Sequence, residues 1–392
     1  MFDFEFVPYR RGSGSYKWDK ADSQAVDSGA YPFSVADMEF KSPEEVISAI
    51  KAFCDDGIFG YTFNDSEYCS CVKGFMQRRH NWTIEESDIV CTGGVVAALN
   101  TAVRAFTGSG EGVVIQRPVY YPFTDAIVNN GRHVVNNALL YDGKGHYSID
   151  FDDLEEKLSR PENTLMLLCS PHNPVGRVWT PDELRQVGEL CLKNDVVLIS
   201  DEIHFDLTKA EHTVMNCVDE RFKSNTLVCT AVSKSFNLAG LGTANIIIQE
   251  DKLRQRFKAQ LTADGYSCIN CLSRPATIAA YTQCDAWLDA VNAEIDKNFK
   301  LLEDFCSEHK NIILSQREGT YLAWLDMRSL GFSDEELNNF MINACSIIPD
   351  PGFWFGEEGR GFTRLNLALP EEILKSALEK MDKAIDNRLK QL

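Results

Sequence analysis

Between about residue 85 and residue 250, short β-branched apolar runs alternate with helical patterns, and this alternation constrains the fold more than any other feature. The clearest runs are Val113 to Gln116, Thr164 to Cys169, Val196 to Ser200, Thr226 to Thr230 and Asn245 to Ile248. Continuous apolar strands separated by helices describe a parallel sheet covered on both faces, because each crossover helix packs on one face. Thr180-Pro181-Asp182-Glu183 opens one such helix with a capping residue, a proline at the first position and early acids. After about residue 285 the pattern changes to longer amphipathic helices, Ala286 to Lys310 and Pro370 to Leu392, around short strands near Ile312 to Leu314 and Tyr321 to Asp326. The expected architecture is α/β: a large domain over residues 45–285, and a smaller α+β domain built from 1–44 and 286–392.

Ligands of open parallel sheets bind where strands end and loops begin, so chemistry is sought at those loops. A net charge of −19 leaves no basic field for a polyphosphate backbone, which argues against nucleic acid as a partner. No apolar run approaches the roughly 18 residues of a membrane helix, and residues 1–11 lack the basic and apolar regions of an export signal. Thirteen scattered cysteines suit a reducing, cytoplasmic compartment rather than a disulfide framework. Cys268 and Cys271 have no second pair at a zinc-like spacing, so no metal site is expected there.

Several strand ends carry chemistry-bearing residues. Lys234, in Ala231-Val232-Ser233-Lys234-Ser235-Phe236-Asn237, directly follows an apolar strand; partial burial lowers an amine's pKa, and a neutral amine condenses with an aldehyde. A lone lysine is more often a solvated surface group. Asp201 ends the run Val196 to Ser200, where a buried carboxylate needs a cationic partner such as the protonated ring nitrogen of pyridoxal phosphate. A helix cap, or a metal cluster with Glu202, His204 and Asp206, are the alternatives, although a short strand end scatters such ligands. Asn173 lies in the turn Ser170-Pro171-His172-Asn173-Pro174-Val175-Gly176 and can donate to a phenolate oxygen; Asn-Pro turns are otherwise structural. Gly93 and Gly94 precede a helix reaching about Phe106 and let backbone amides approach a phosphate. Arg364 sits in an apolar stretch and needs an anion, for which an α-carboxylate would serve.

Together these segments resemble fold-type I pyridoxal-phosphate enzymes of the class I/II aminotransferase family over nearly the whole chain. A closer resemblance is to the MalY/PatB-type carbon-sulfur lyases, among them bacterial cystathionine β-lyases. It rests on Arg10-Arg11 through Lys17-Trp18-Asp19, Val35-Ala36-Asp37-Met38-Glu39-Phe40, Gly60-Tyr61-Thr62, Arg117-Pro118-Val119-Tyr120-Tyr121-Pro122-Phe123, Asp201-Glu202-Ile203-His204 and Ser233-Lys234-Ser235-Phe236-Asn237-Leu238-Ala239-Gly240.

The resemblance implies a mostly parallel seven-stranded sheet, pyridoxal 5'-phosphate as cofactor and Lys234 as its Schiff-base lysine. It also implies that Asp201, Asn173, Ser233 and His204 hold the cofactor, that Tyr120 stacks on its ring, and that Gly94, Val95 and Val96 supply amides to its phosphate. Arg364, Ala36 and Tyr121 would meet the substrate, and Tyr61 would reach the neighbouring subunit's site in a homodimer. Two departures stand out. Gly242 occupies the place where many aminotransferases carry an arginine eight residues after the lysine, and Pro32-Phe33-Ser34 precedes Val35 where many of these lyases have a tryptophan. The expected reaction is β-elimination from cystathionine, cysteine or related S-substituted cysteines, giving a thiol, pyruvate and ammonia. An aminotransferase, or a non-catalytic regulatory protein retaining the fold, is the alternative.

Overall fold

The computed structural model describes residues 2–6, 9–19 and 29–390; the final two residues of the expected helix Pro370 to Leu392 lie outside them. Seven strands form the central sheet: β1 (Ile89–Thr92), β2 (Gly112–Ile115), β3 (His133–Asn136), β4 (Asn163–Cys169), β5 (Val197–Asp201), β6 (Thr226–Thr230) and β7 (Ala244–Ile247). Their order is β1-β7-β6-β5-β4-β2-β3. All neighbours are parallel except β7, which runs antiparallel to both β1 and β6. The apolar runs do not reveal that reversal. Its cause is the connection from Thr230 to Ala244, which holds only the short turns Val232–Ser235 and Ala239–Leu241 and no crossover helix.

Every residue of β1, β2, β6 and β7 is buried, as expected for strands covered on both faces. Helix α1 (Val95–Phe106) follows β1, and α2 (Pro181–Lys193) crosses from β4 to β5. The start of α2 is fixed by a reciprocal cap: the Glu183 amide donates to Thr180 Oγ1 at 3.2 Å, and the Thr180 amide donates to Glu183 Oε2 at 2.8 Å. Such a cap stabilises a helix by about 1 kcal/mol.

Beyond the sheet, the long helix α3 (Asp285–Glu308) and the C-terminal helix α4 (Glu371–Leu389) flank a four-stranded sheet. Its strands are β8 (Ile313–Leu314), β9 (Leu322–Asp326), β10 (Asp350–Pro351) and β11 (Phe362–Asn366), in the order β8-β9-β11-β10. The N-terminal segment joins this region: Tyr31–Pro32 pairs with Ile347–Ile348, and the Asn366 amide donates to Phe33 O at 2.7 Å. No helix among the described residues is long and apolar enough to cross a membrane.

Candidate active site

The register aligns Cys169, Asp201 and Cys229 across β4, β5 and β6, so the carboxyl ends of three adjacent strands share one edge. The loops leaving that edge carry Asn173, His204 and Lys234, while β1 delivers the N-terminus of α1 beside them. A cavity of about 630 Å³, mouth included, is lined there by Ala36, Val95, Val96, Tyr120, Asn173, Asp201, His204, Ser233 and Lys234, together with Cys169, Ile203 and Ala239.

Lys234 stands half-buried in the cavity wall and donates to Ala36 O at 2.6 Å. Enclosure by protein pulls its ammonium down to about 8, against the opposing pull of Asp37 and Asp201. The Ala36 carbonyl is itself fixed: Tyr321 Oη donates to it at 2.8 Å. Its neighbour Val35 has φ 58, a left-handed conformation unusual for a β-branched residue and costing about 1–3 kcal/mol. Asp350 Oδ2 accepts from the Val35 amide at 3.1 Å, and Asn366 Nδ2 donates to Val35 O and to Asp37 O at 2.8 Å each. Asn237 completes the clamp, taking the Met38 amide at 2.9 Å and donating to Met38 O at 3.0 Å and Phe40 O at 2.9 Å.

Asp201 is 4% exposed and receives the Ile203 amide at 3.2 Å. Burial raises its carboxyl to about 7, so a nearby cation would stabilise the charged form. Burial drives His204 well below its ordinary value, and the buried Nδ1 of its neutral ring has no hydrogen-bond partner. Gly94 caps α1 with φ 122, and no side chain caps the first-turn amides.

Arg364 does not line the cavity directly; it lies behind Asn173, donating from Nη1 to Asn173 Oδ1 at 2.9 Å. Its anionic partner is Asp350 on the neighbouring strand, reached by Nε at 3.1 Å and by Nη2 more closely still. Tyr121 lies outside the cavity wall, its ring 5.2 Å from that of Tyr120 and 6.0 Å from Trp354. Tyr61 is 97% exposed, in a stretch with exposed Ile58, Phe59 and Phe63, and does not line the cavity that holds Lys234. The cluster considered at the end of β5 is dispersed: Glu202 binds His212 at 2.8 Å and Ser200 at 2.8 Å, and Asp206 binds His80 at 2.8 Å. Among the described residues, no group of three such side chains converges as metal ligands. Gly242 has a left-handed φ of 57, with Gly93 O beside it.

A lysine poised to lose its proton, a carboxylate awaiting a cation and uncapped helix amides, gathered at a doubly wound sheet edge, define a fold-type I enzyme. The chain belongs to the aminotransferase class I and II family, whose model matches residues 27–381. It is 41% identical to cystathionine β-lyase PatB of Bacillus subtilis, over 98% of this chain and 100% of that protein. It is 34% identical to protein MalY of Escherichia coli, over 98% and 99%. The structure of cystalysin from Treponema denticola, which contains a pyridoxal 5'-phosphate cofactor, superimposes with a TM-score of 0.96 at 42% identity, covering 99% of each chain.

Proposed function

We propose that this chain is a pyridoxal-phosphate-dependent carbon-sulfur β-lyase that cleaves L-cystathionine, cysteine or related S-substituted cysteines to a thiol, pyruvate and ammonia. The observation that carries the reading is Lys234: an amine near neutrality, held by a fixed carbonyl, across one cavity from an unpaired buried carboxylate. The donor set fits the cofactor. Asp201 offers charge to a ring nitrogen, the bare His204 Nδ1 and Asn173 offer polar atoms, Tyr120 a ring face, and Gly94, Val95, Val96 and Ser233 a phosphate cradle. Bound pyridoxal 5'-phosphate supplies an aldehyde that condenses with amines and a cationic ring that accepts electrons from the α-carbon.

This chain's residues then divide the work. Lys234 would remove the α-proton as general base, its position set by Ala36 O. Asp201 would hold a proton on the ring nitrogen of the bound cofactor. Arg364, behind Asn173, would take the α-carboxylate and so fix which α-bond faces the electron sink. A thiolate departing from the β-carbon makes elimination easier than proton return elsewhere, and the names of PatB and the other lyase relatives support that outcome over transfer. The thirteen thiols are all free, which suits a reducing cytoplasm. The small sheet β8–β11, its helices and the N-terminal segment form the smaller domain of this reading.

Incubation with cystathionine, and separately with an amino acid plus 2-oxoglutarate, tests the reaction. Pyruvate with free thiol is expected from the first; glutamate from the second without pyruvate from the first would identify an aminotransferase, and no product from either a non-catalytic protein. Arg364→Ala should lower kcat/KM for cystathionine about a hundredfold while leaving the bound cofactor's absorbance unchanged, and Arg364→Lys should recover only part. Steady-state kinetics beside absorbance spectra measures both.

The active unit is a dimer in this reading, because the exposed apolar stretch around Ile58, Phe59, Tyr61 and Phe63 needs cover and Tyr61 needs a partner site. Tyr61→Ala should weaken cofactor affinity by about tenfold, the loss of one charge-assisted hydrogen bond, as read by equilibrium titration of apoenzyme.

Asp201 also sets a pH dependence. Its folded carboxyl titrates at about 7 against an ordinary 3.8, so the folded apoenzyme binds the proton more tightly than the unfolded chain. Apoenzyme stability from this group is therefore lost as pH rises from about 4 through about 7. A ring cation relieves that loss. The melting temperatures of holoenzyme and apoenzyme should diverge with rising pH across this window, as calorimetry at several pH values would measure.

A further inference from the structure

Arg364 and Asp350 are 2% and 3% exposed and face each other across β11 and β10. Asp350 Oδ2 takes the Nε edge of the guanidinium together with one N–H of Nη2, and Asn173 Oδ1 takes one N–H of Nη1. These bonds account for the Nε hydrogen and one hydrogen on each terminal nitrogen, so one further N–H on each terminal nitrogen remains to meet a carboxylate. The Phe355 ring lies under the guanidinium, 4.8 Å from Cζ, and confines it from one face. The same Asp350 oxygen holds the Val35 amide at 3.1 Å, next to the carbonyl that fixes Lys234.

We propose that Asp350 is a positioning residue and counter-ion of the substrate-carboxylate site. It presents the free edge of Arg364 to the substrate and cancels most of its charge, so that a monocarboxylate is held in orientation but loosely. The proposal rests on the reading that Arg364 binds the α-carboxylate. Its chemical sense lies in turnover: substrate and the product pyruvate carry the same anionic group, and an uncompensated buried guanidinium would hold both tightly. Uniform binding of that kind lowers KM without raising kcat and retards release.

Asp350→Asn keeps an acceptor of the same shape for Arg364 and Val35 while removing the negative charge. The holoenzyme variant should bind 3-(methylthio)propanoate, a thioether carboxylate with no amine to react, about tenfold more tightly than wild type, because a like charge within one guanidinium's width has been removed. The KM for cystathionine should fall in parallel, and kcat should not rise. Calorimetric titration reads the first and steady-state kinetics the second. A merely structural role would loosen binding or leave it unchanged, and a folded Asp350→Asn protein with unchanged or weaker affinity would overturn the proposal.

If Asp350→Asn does not fold, the comparison moves to Arg364→Gln against Arg364→Gln/Asp350→Asn, in which no charge is left buried alone. The double variant should bind the probe more tightly than the single one; equal or weaker binding overturns the proposal. The reading of Arg364 itself is judged separately: it fails if Arg364→Gln alone binds the probe as wild type does.

Discussion

Lys234→Ala is expected to abolish elimination, by about ten-thousandfold or more, while the protein still folds and binds the cofactor non-covalently. The effect should be this large because one amine serves twice, as the attachment point and as the base that takes the α-proton. Folding should survive. The ammonium is already disfavoured by its enclosure, and the Ala36 carbonyl keeps its second donor, Tyr321. A small primary amine added to the solution should restore part of the rate in Lys234→Ala and none in wild type. Turnover within tenfold of wild type in the variant would remove Lys234 from the chemistry.

Asp201→Ala should produce the second largest loss. Removing one partner of a buried ion pair costs about 3–5 kcal/mol, and here that cost falls on the charge that the ring must carry during proton removal, giving about two to four powers of ten in rate. The apoenzyme should not suffer, since burial opposes the charge of its Asp201 more strongly than nearby Lys234 favours it. Melting temperature and turnover should therefore move independently: apoenzyme stability at pH 8 equal to or above wild type, turnover nearly lost. A variant with a lowered apoenzyme melting temperature and near-normal turnover would make Asp201 a structural group.

Much of this site is legible in the linear sequence because it sits at strand ends. Thr226 to Thr230 is a continuous apolar run with a lysine four residues beyond it, and Val196 to Ser200 stops at Asp201; both coincide with strands to within a residue. The seven-strand count comes from the family resemblance rather than from local pattern. Ile89–Thr92 is four residues long and ends in Cys91 and Thr92, while His133–Asn136 is a half-exposed edge strand with polar ends. The direction of Ala244–Ile247 is set by the connection before it and not by its own apolar residues.

The supporting residues are a different matter. Asp350, Asn366 and Tyr321 act on Val35 and Ala36 from roughly three hundred positions away, at separations of 315, 331 and 285 residues. No spacing rule joins them. Asp350 carried no signal beyond being one acid among many, and the anion expected for Arg364 from its apolar surroundings has this structural partner as well as a substrate. The alternation around residue 35 gives no hint that Val35 adopts φ 58. Such features arise only when the N-terminal segment and the small sheet meet, and packing, not periodicity, decides that.

Whether Lys234 carries the cofactor in this cavity is read by reductive trapping. Treating the purified holoenzyme with borohydride fixes the bond between the cofactor's aldehyde carbon and the lysine nitrogen, and digestion with mass spectrometry then locates it. The account predicts one labelled peptide, the one containing Ser233-Lys234-Ser235, and loss of activity in proportion to its labelling. Label recovered on any other lysine, or a fully reduced protein that still releases thiol from cystathionine, would contradict it.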